Sequence, residues 1–282
     1  MGIRSVWDKV GAAILPGRKA AAVAPPVLSD GKRFPYGPFS FKAILPQGSQ
    51  YTILASPDLN NWNPISNGVA AAPAIDYLDS DASKFNARFY RLVANELASI
   101  NALGYVAVTL APGFSLIANP LDSQNNTVTE LFKDWPDGTS LNKFDTRLFR
   151  LSENTIERGR WAKPSEKLAP GDGAIFFNPT TEYKSHSFVG QVLQGTVATP
   201  VPAGFSLRSS LVPQPGNLAD DLKFPIANGD VIHLFDRDRQ KYVLHPFEEG
   251  KWKSGPPVLS VGESFWVAKT DPSNWKRDIV LS

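Results

Sequence analysis

Gly104-Tyr-Val-Ala-Val-Thr-Leu-Ala-Pro-Gly-Phe-Ser-Leu116 and Gly195-Thr-Val-Ala-Thr-Pro-Val-Pro-Ala-Gly-Phe-Ser-Leu207 are two versions of one stretch, and their spacing decides how the chain is organised. They lie 91 residues apart, and an ungapped match at that offset runs from Gly104 to Gly190. Eighteen of its 87 positions are identical, where composition alone gives about five, so the second half is two copies of one module. The matches continue through Asn126/Asn217, Leu131/Leu222, Gly138/Gly229, Phe144-Asp145/Phe235-Asp236, Glu157/Glu248, Trp161/Trp252, Leu168/Leu259 and Gly171/Gly262. Within each copy the local signals are those of short strands. Tyr105–Leu110 is a strand-like run ending in a Pro-Gly turn, and Phe114 and Leu116 alternate, as do Phe205 and Leu207. Val231–Phe235 and Lys241–His245 flank Asp236-Arg-Asp-Arg-Gln240 and predict a hairpin. Ala174–Phe177 and Ser264–Val267 predict buried strands, and only Thr127–Lys133 and Leu218–Lys223 suggest a helical turn or two. Each module is therefore expected to be a small β-barrel or β-sandwich with one short helix.

Composition agrees with many turns and short strands. The 282 residues include 24 Pro and 21 Gly, above the average share of about 12%, and charged residues at 20% fall below the usual ~25%. The absence of Cys excludes disulfides, thiolate nucleophiles and cysteine-ligated metals. The net charge of +2 divides unevenly: seven Lys/Arg and two Asp fall within residues 1–42, leaving the remainder slightly acidic. No nucleic-acid partner is expected of such a body. No run of about 18 apolar residues is present to span a membrane. The start lacks the n-region, h-region and cleavage site of a Sec signal. Ile3, Trp7, Val10 and Ile14 recur at helical spacing and predict a short amphipathic helix. That helix is expected to make an assembly contact, docking on its own domain or a neighbouring subunit, with a membrane-surface helix as the alternative.

Three sequence blocks carry a resemblance. Gly113-Phe-Ser-Leu-Ile-Ala-Asn-Pro120, Gly159-Arg-Trp161 and Leu168-Ala-Pro-Gly-Asp-Gly-Ala-Ile-Phe-Phe177 are similar to a β-module of bacterial surface proteins of the Verrucomicrobia and Planctomycetes type. In those proteins the module opens on GW-x-L-I, passes through a central G-x-W and closes on L-x-P-G-x-G followed by aromatic residues. Both copies here carry Phe at the opening Trp position, and the second closes as Gly262-Glu-Ser-Phe-Trp266. Residues 31–94 resemble a short fibronectin-III-like accessory domain, through Gln50-Tyr-Thr-Ile-Leu-Ala-Ser-Pro-Asp-Leu-Asn-Asn-Trp62 and the Phe89-Tyr-Arg-Leu92 strand. The resemblance implies an all-β chain: a basic arm over 1–30, an Ig/fibronectin-III-like domain over 31–94, a linker over 95–103, and modules over 104–192 and 193–282. At about 64 residues the first domain is short for seven strands.

Signatures of catalysis are lacking. There is no nucleophile elbow, phosphate loop, dinucleotide fingerprint or His-Glu-x-x-His, and His186, His233 and His245 do not have ligand spacing. Asp79/Asp81 and Asp236/Asp238 lack the remaining oxygens of a calcium loop and suit turn capping. Asp145/Asp236, Glu157/Glu248 and Asp172/Glu263 recur in both copies, which fits a structural role better than a glycosidase pair. No enzyme activity, metal or cofactor is expected. Trp161 and Trp252, beside Arg160 and Lys251, are the candidates for stacking on a glycan, with the alternative that each Trp fills its own module's core. The expectation is a structural protein that self-assembles or decorates a filament, coat or virion surface, outside the cell or on its surface. The alternatives are a carbohydrate-binding adhesion protein and, least favoured, a glycoside-active enzyme.

Overall fold

The computed structural model describes residues 24–34 and 37–281. The predicted N-terminal helix, with Ile3, Trp7, Val10 and Ile14, lies outside the described residues. Everything described is all-β, in antiparallel sheets.

The first unit comprises β1 (Val27–Arg33), β2 (Phe39–Ile44), β3 (Gln50–Ser56), β4 (Asn63–Val69), β5 (Ala74–Asp79), β6 (Ala87–Ala94), β7 (Leu97–Ala98) and β8 (Leu103–Leu110). Sheet β1-β2-β5 packs on a sheet running β4-β3-β6-β8. Alternation explains the packing: Phe39, Phe41 and Ala43 point inward from β2, and Ile53 and Ala55 from β3. Tyr90 stacks on Phe39 at 5.0 Å between centroids and its hydroxyl donates to Asp79 Oδ2 at 2.7 Å. Residues 95–103, expected as a linker, instead contain β7 and lead directly into β8. The sandwich is completed by a strand that the repeat reading had assigned to the first module. This is how a short segment reaches seven strands in its two packed sheets, with the two-residue β7 beside β6 as an eighth.

The first module adds β9 (Gly113–Ile117), α1 (Val128–Leu131), β10 (Ser140–Asp145), β11 (Arg150–Glu157), β12 (Arg160–Trp161), β13 (Ala174–Asn178) and β14 (Lys184–Gln191). The second contains β15 (Gly195–Val201), β16 (Gly204–Ser209), β17 (Gly216–Asn217), β18 (Val231–Asp236), β19 (Lys241–Glu248), β20 (Lys251–Trp252), β21 (Val258–Leu259), β22 (Ser264–Lys269) and β23 (Ser273–Ile279). Their main sheets have one order, β12-β11-β10-β13-β9 and β20-β19-β18-β22-β16. Registers agree as well: Phe114 opposes Phe177 as Phe205 opposes Ala268, and Ile156 opposes Trp161 as Phe247 opposes Trp252. Tight two-residue turns, Arg158-Gly159 and Glu249-Gly250, both at positive φ, connect β11 to β12 and β19 to β20. The helix predicted at Leu218–Lys223 is absent. Asn217 Oδ1 takes the backbone N–H groups of Ala219 and Asp220, and its carbonyl takes those of Asp221 and Leu222, so the chain closes into a turn.

The modules differ where they meet the sandwich. In the first, β14 pairs β8 and so extends the sandwich sheet; in the second, β15 and β23 pair only with each other. His186 on β14 opposes Val108, and Trp275 on β23 opposes Thr199, equivalent positions in the two copies. Trp275 fills the second core with its Nε1 donating to Leu222 O at 2.8 Å. In the first core that volume is shared between His186, stacked on Phe132 at 4.8 Å, and Trp135, whose Nε1 donates to His186 Nδ1 at 3.3 Å.

The two modules face each other through reciprocal contacts. Ala118 N donates to Gly262 O at 2.8 Å, and Ser209 N, its counterpart, donates to Gly171 O at 3.2 Å. Ile117 bridges Glu263, and Arg208 bridges Asp172. Each contact recurs with the copies exchanged, the signature of a two-fold, isologous interface within one chain. A third apolar cluster, including Phe89, Val106, Leu121, Val212 and Leu281, joins all three units.

The second module also contains a buried ion pair. Asp230, with 0% of its side chain exposed, meets Lys269 Nζ at 2.5 Å and accepts from Thr270 N and Ala227 N. Burial pushes its pKa up, but these bonds prevail and hold it below the usual carboxylate value. Asp230→Asn is expected to cost about 3–5 kcal/mol by stranding the ammonium, measured by urea denaturation. Because the folded pKa is depressed, this stabilisation is complete above about pH 4 and is lost as pH falls through the folded value.

Candidate functional site

The candidate glycan-stacking residues do not form a common site. Trp161 is 7% exposed and packs in the first core, 6.2 Å from Phe132, so its ring faces are already occupied. Trp252 is half-buried against Phe247 at 5.1 Å, packed on the second core. Arg160 and Lys251 are exposed on the same short strands, and Lys251 lies 3.9 Å from Glu249. Each pair serves its own module, at separate places. Stacking a sugar on Trp161 would require opening the core.

The duplicated carboxylates are turn-formers. Asp145 Oδ1 accepts from Arg147 N at 2.8 Å and Leu148 N at 3.0 Å; Asp236 Oδ1 accepts from Asp238 N and Arg239 N. Leu148 N–H, then Arg147 N–H, lowers the Asp145 pKa; for Asp236 the Arg239 backbone and side chain do so. Asp79 is buried, bonded to Tyr90 and 3.3 Å from Arg88. Among the described residues no group of three His, Asp or Glu is placed to hold a metal ion.

What the fold brings together is an aromatic face. On β18, Ile232 points into the core while His233 and Phe235 point out; on β22, Phe265 and Val267 point in and Trp266 out. His233 opposes Trp266, and Phe235 opposes Tyr242 with centroids 5.0 Å apart. Trp266 Nε1 donates to Tyr242 OH at 3.3 Å. The first module contributes Phe144, 4.9 Å from Trp266, and Phe149, 6.3 Å from Phe205. At the reciprocal contact Gln240 replaces Phe149 and clasps the Phe114 backbone, accepting from its N at 3.1 Å and donating to its O at 2.9 Å. Burial lowers the His233 pKa below the usual imidazole value.

Apolar side chains are also exposed on both hairpins. Leu148 and Phe149 at one tip are 57% and 64% exposed, and Val243 and Leu244 on the other hairpin are 45% and 48% exposed. Two clefts adjoin. One of about 370 Å³ lies where the sandwich and both modules meet, and one of about 820 Å³ runs between the sandwich and the first module, past His186 and Lys184. No helix among the described residues is long and apolar enough to cross a membrane.

With the fold and this face in view, comparison with known proteins adds no relative: no protein-family model and no curated protein matches the chain.

Trp161→Ala is expected to cost about 3–5 kcal/mol by emptying a core site, and Trp252→Ala less. Comparing their thermal unfolding separates packing from ligand binding. A pH dependence follows from His186, which burial lowers to about 4. The folded state holds the ring neutral, so stability is complete above about pH 6.5 and declines as pH falls toward 4. His186→Gln is expected to flatten that part of the stability profile.

Proposed function

We propose that the protein is a non-catalytic structural protein that assembles with further copies of itself, its β-modules supplying the contact surface. The observation that carries this reading is the exposed apolar side chains of the two hairpins, beginning at Leu148 and Val243. Burying such side chains contributes about 25 cal/mol per Å² removed from water, before the cost of association. The turn-forming roles of Asp145 and Asp236, present in both copies, favour a scaffold over a carboxylate enzyme. A place on a filament, coat or virion surface agrees with a chain that repeats one small β-module. The basic N-terminal segment, with Trp7 and Val10, is a second contact in this reading.

Static light scattering across a concentration series tests it. The wild-type chain is expected to form assemblies larger than a monomer. A chain carrying Leu148→Ser, Leu151→Ser, Val243→Ser and Leu244→Ser is expected to shift toward monomer while keeping its circular dichroism spectrum, because all four side chains are exposed. A wild-type chain that stays monomeric throughout would overturn the proposal.

A further inference from the structure

The interface between the modules has two equivalent corners, and they are filled differently. At one, Asp172 Oδ2 accepts from Lys143 Nζ at 2.7 Å, and the Asp172 backbone bridges that of Arg208. Lys143 Nζ also donates to Lys167 O at 2.7 Å. This corner is closed by the Lys143 ammonium, which holds the carboxylate and a backbone carbonyl together. At the other corner, Glu263 takes the place of Asp172, while Leu234 and Ile117 replace Lys143 and Arg208. The carboxylate's turn contact is retained: Ser260 N donates to Glu263 Oε2 at 3.0 Å, as Ala169 N donates to Asp172 Oδ2 at 3.3 Å. Its cation is not. Among the described residues Glu263 forms no ion pair.

The space beside Glu263 and Leu234 is open. The cleft of about 370 Å³ is lined by Ile117, Leu234, Phe235 and Glu263, with Val108 from β8 opposite. Arg237 stands in the same wall, but its guanidinium is bound to Thr109 O at 2.8 Å. The volume falls within the ~300–1,000 Å³ of small-molecule sites, and the lining mixes the apolar Leu234 and Val108 with the polar Thr109, Ser260 and Glu263.

We propose that this corner binds a small alkylammonium, its chain against Leu234 and Val108 and its charge on Glu263. The ligand supplies what Lys143 supplies at the equivalent corner, a methylene chain ending in an ammonium. A half-buried carboxylate with no ion-pair partner gains most from such a ligand, because its charge-assisted hydrogen bond is stronger than a neutral one. A neutral chain of equal length lacks that term.

Amide NMR of the full chain with n-butylammonium chloride tests the site, using n-butanol and matched sodium chloride as controls. Saturable shifts are expected at Gly262, Glu263, Ser264 and Val108, in the millimolar range suited to so small a ligand. Glu263→Gln is expected to weaken binding about tenfold or more, and Leu234→Lys to abolish it by restoring the chain's own ammonium. Absence of saturable shifts would overturn the proposal. So would equal response to n-butanol, equal affinity in Glu263→Gln, or undiminished binding by Leu234→Lys.

Discussion

Strand β8 is the constraint on which the rest of the molecule depends. Its eight residues belong to two units at once: they complete the sandwich by pairing with β6 and anchor the first module by pairing with β14. Leu103 and Tyr105 enter the sandwich core, Val106 the cluster joining the units, and Leu110 the module core. A strand buried on both faces reads as a near-continuous apolar run, and Tyr-Val-Ala-Val-Thr-Leu is such a run. Gly104 permits the crossing. A Cβ there would stand 2.5 Å from the Arg88 carbonyl, so only glycine lets β8 lie this close to β6.

With the first module fixed to the sandwich, the second is positioned by the reciprocal contacts between copies. A duplicated module carries the same surface twice, and a two-fold arrangement lets each copy satisfy the other with one set of side chains. The arrangement is imperfect where function is proposed. The corner at Glu263 has Leu234 where the other has Lys143, Gln240 replaces Phe149, and apolar side chains on both hairpins stay exposed. Departures from symmetry in a repeat mark positions released from the shared packing requirement.

Much of the fold was legible because short-range chemistry determined it. The offset of 91 fixed which strands correspond, and the Asp236–Gln240 turn marked the β18–β19 hairpin. The dual service of β8 was not legible, because an apolar run does not reveal which of two cores receives each side. Leu218–Lys223 looked helical by residue type, yet after one turn capped by Asn217 the Leu222 N–H returns to Asn217 O and the Phe224 N–H to Leu218 O, so no second helical turn forms. The aromatic face escaped for a related reason. Alternation divides residues between two faces but does not say whether the outer face meets water or a second module. Of the Trp pair, burial separated Trp161 from Trp252 even though their sequence contexts match.

The central claim is that one shared strand makes the sandwich and the repeat a single cooperative body. Hydrogen exchange across a denaturant series measures it directly. The account predicts that the amides of β6, β8 and β14 lose protection together, in the same transition that unfolds both module cores. Loss of protection in the sandwich strands at lower denaturant, with β14 and the modules still protected, would contradict it.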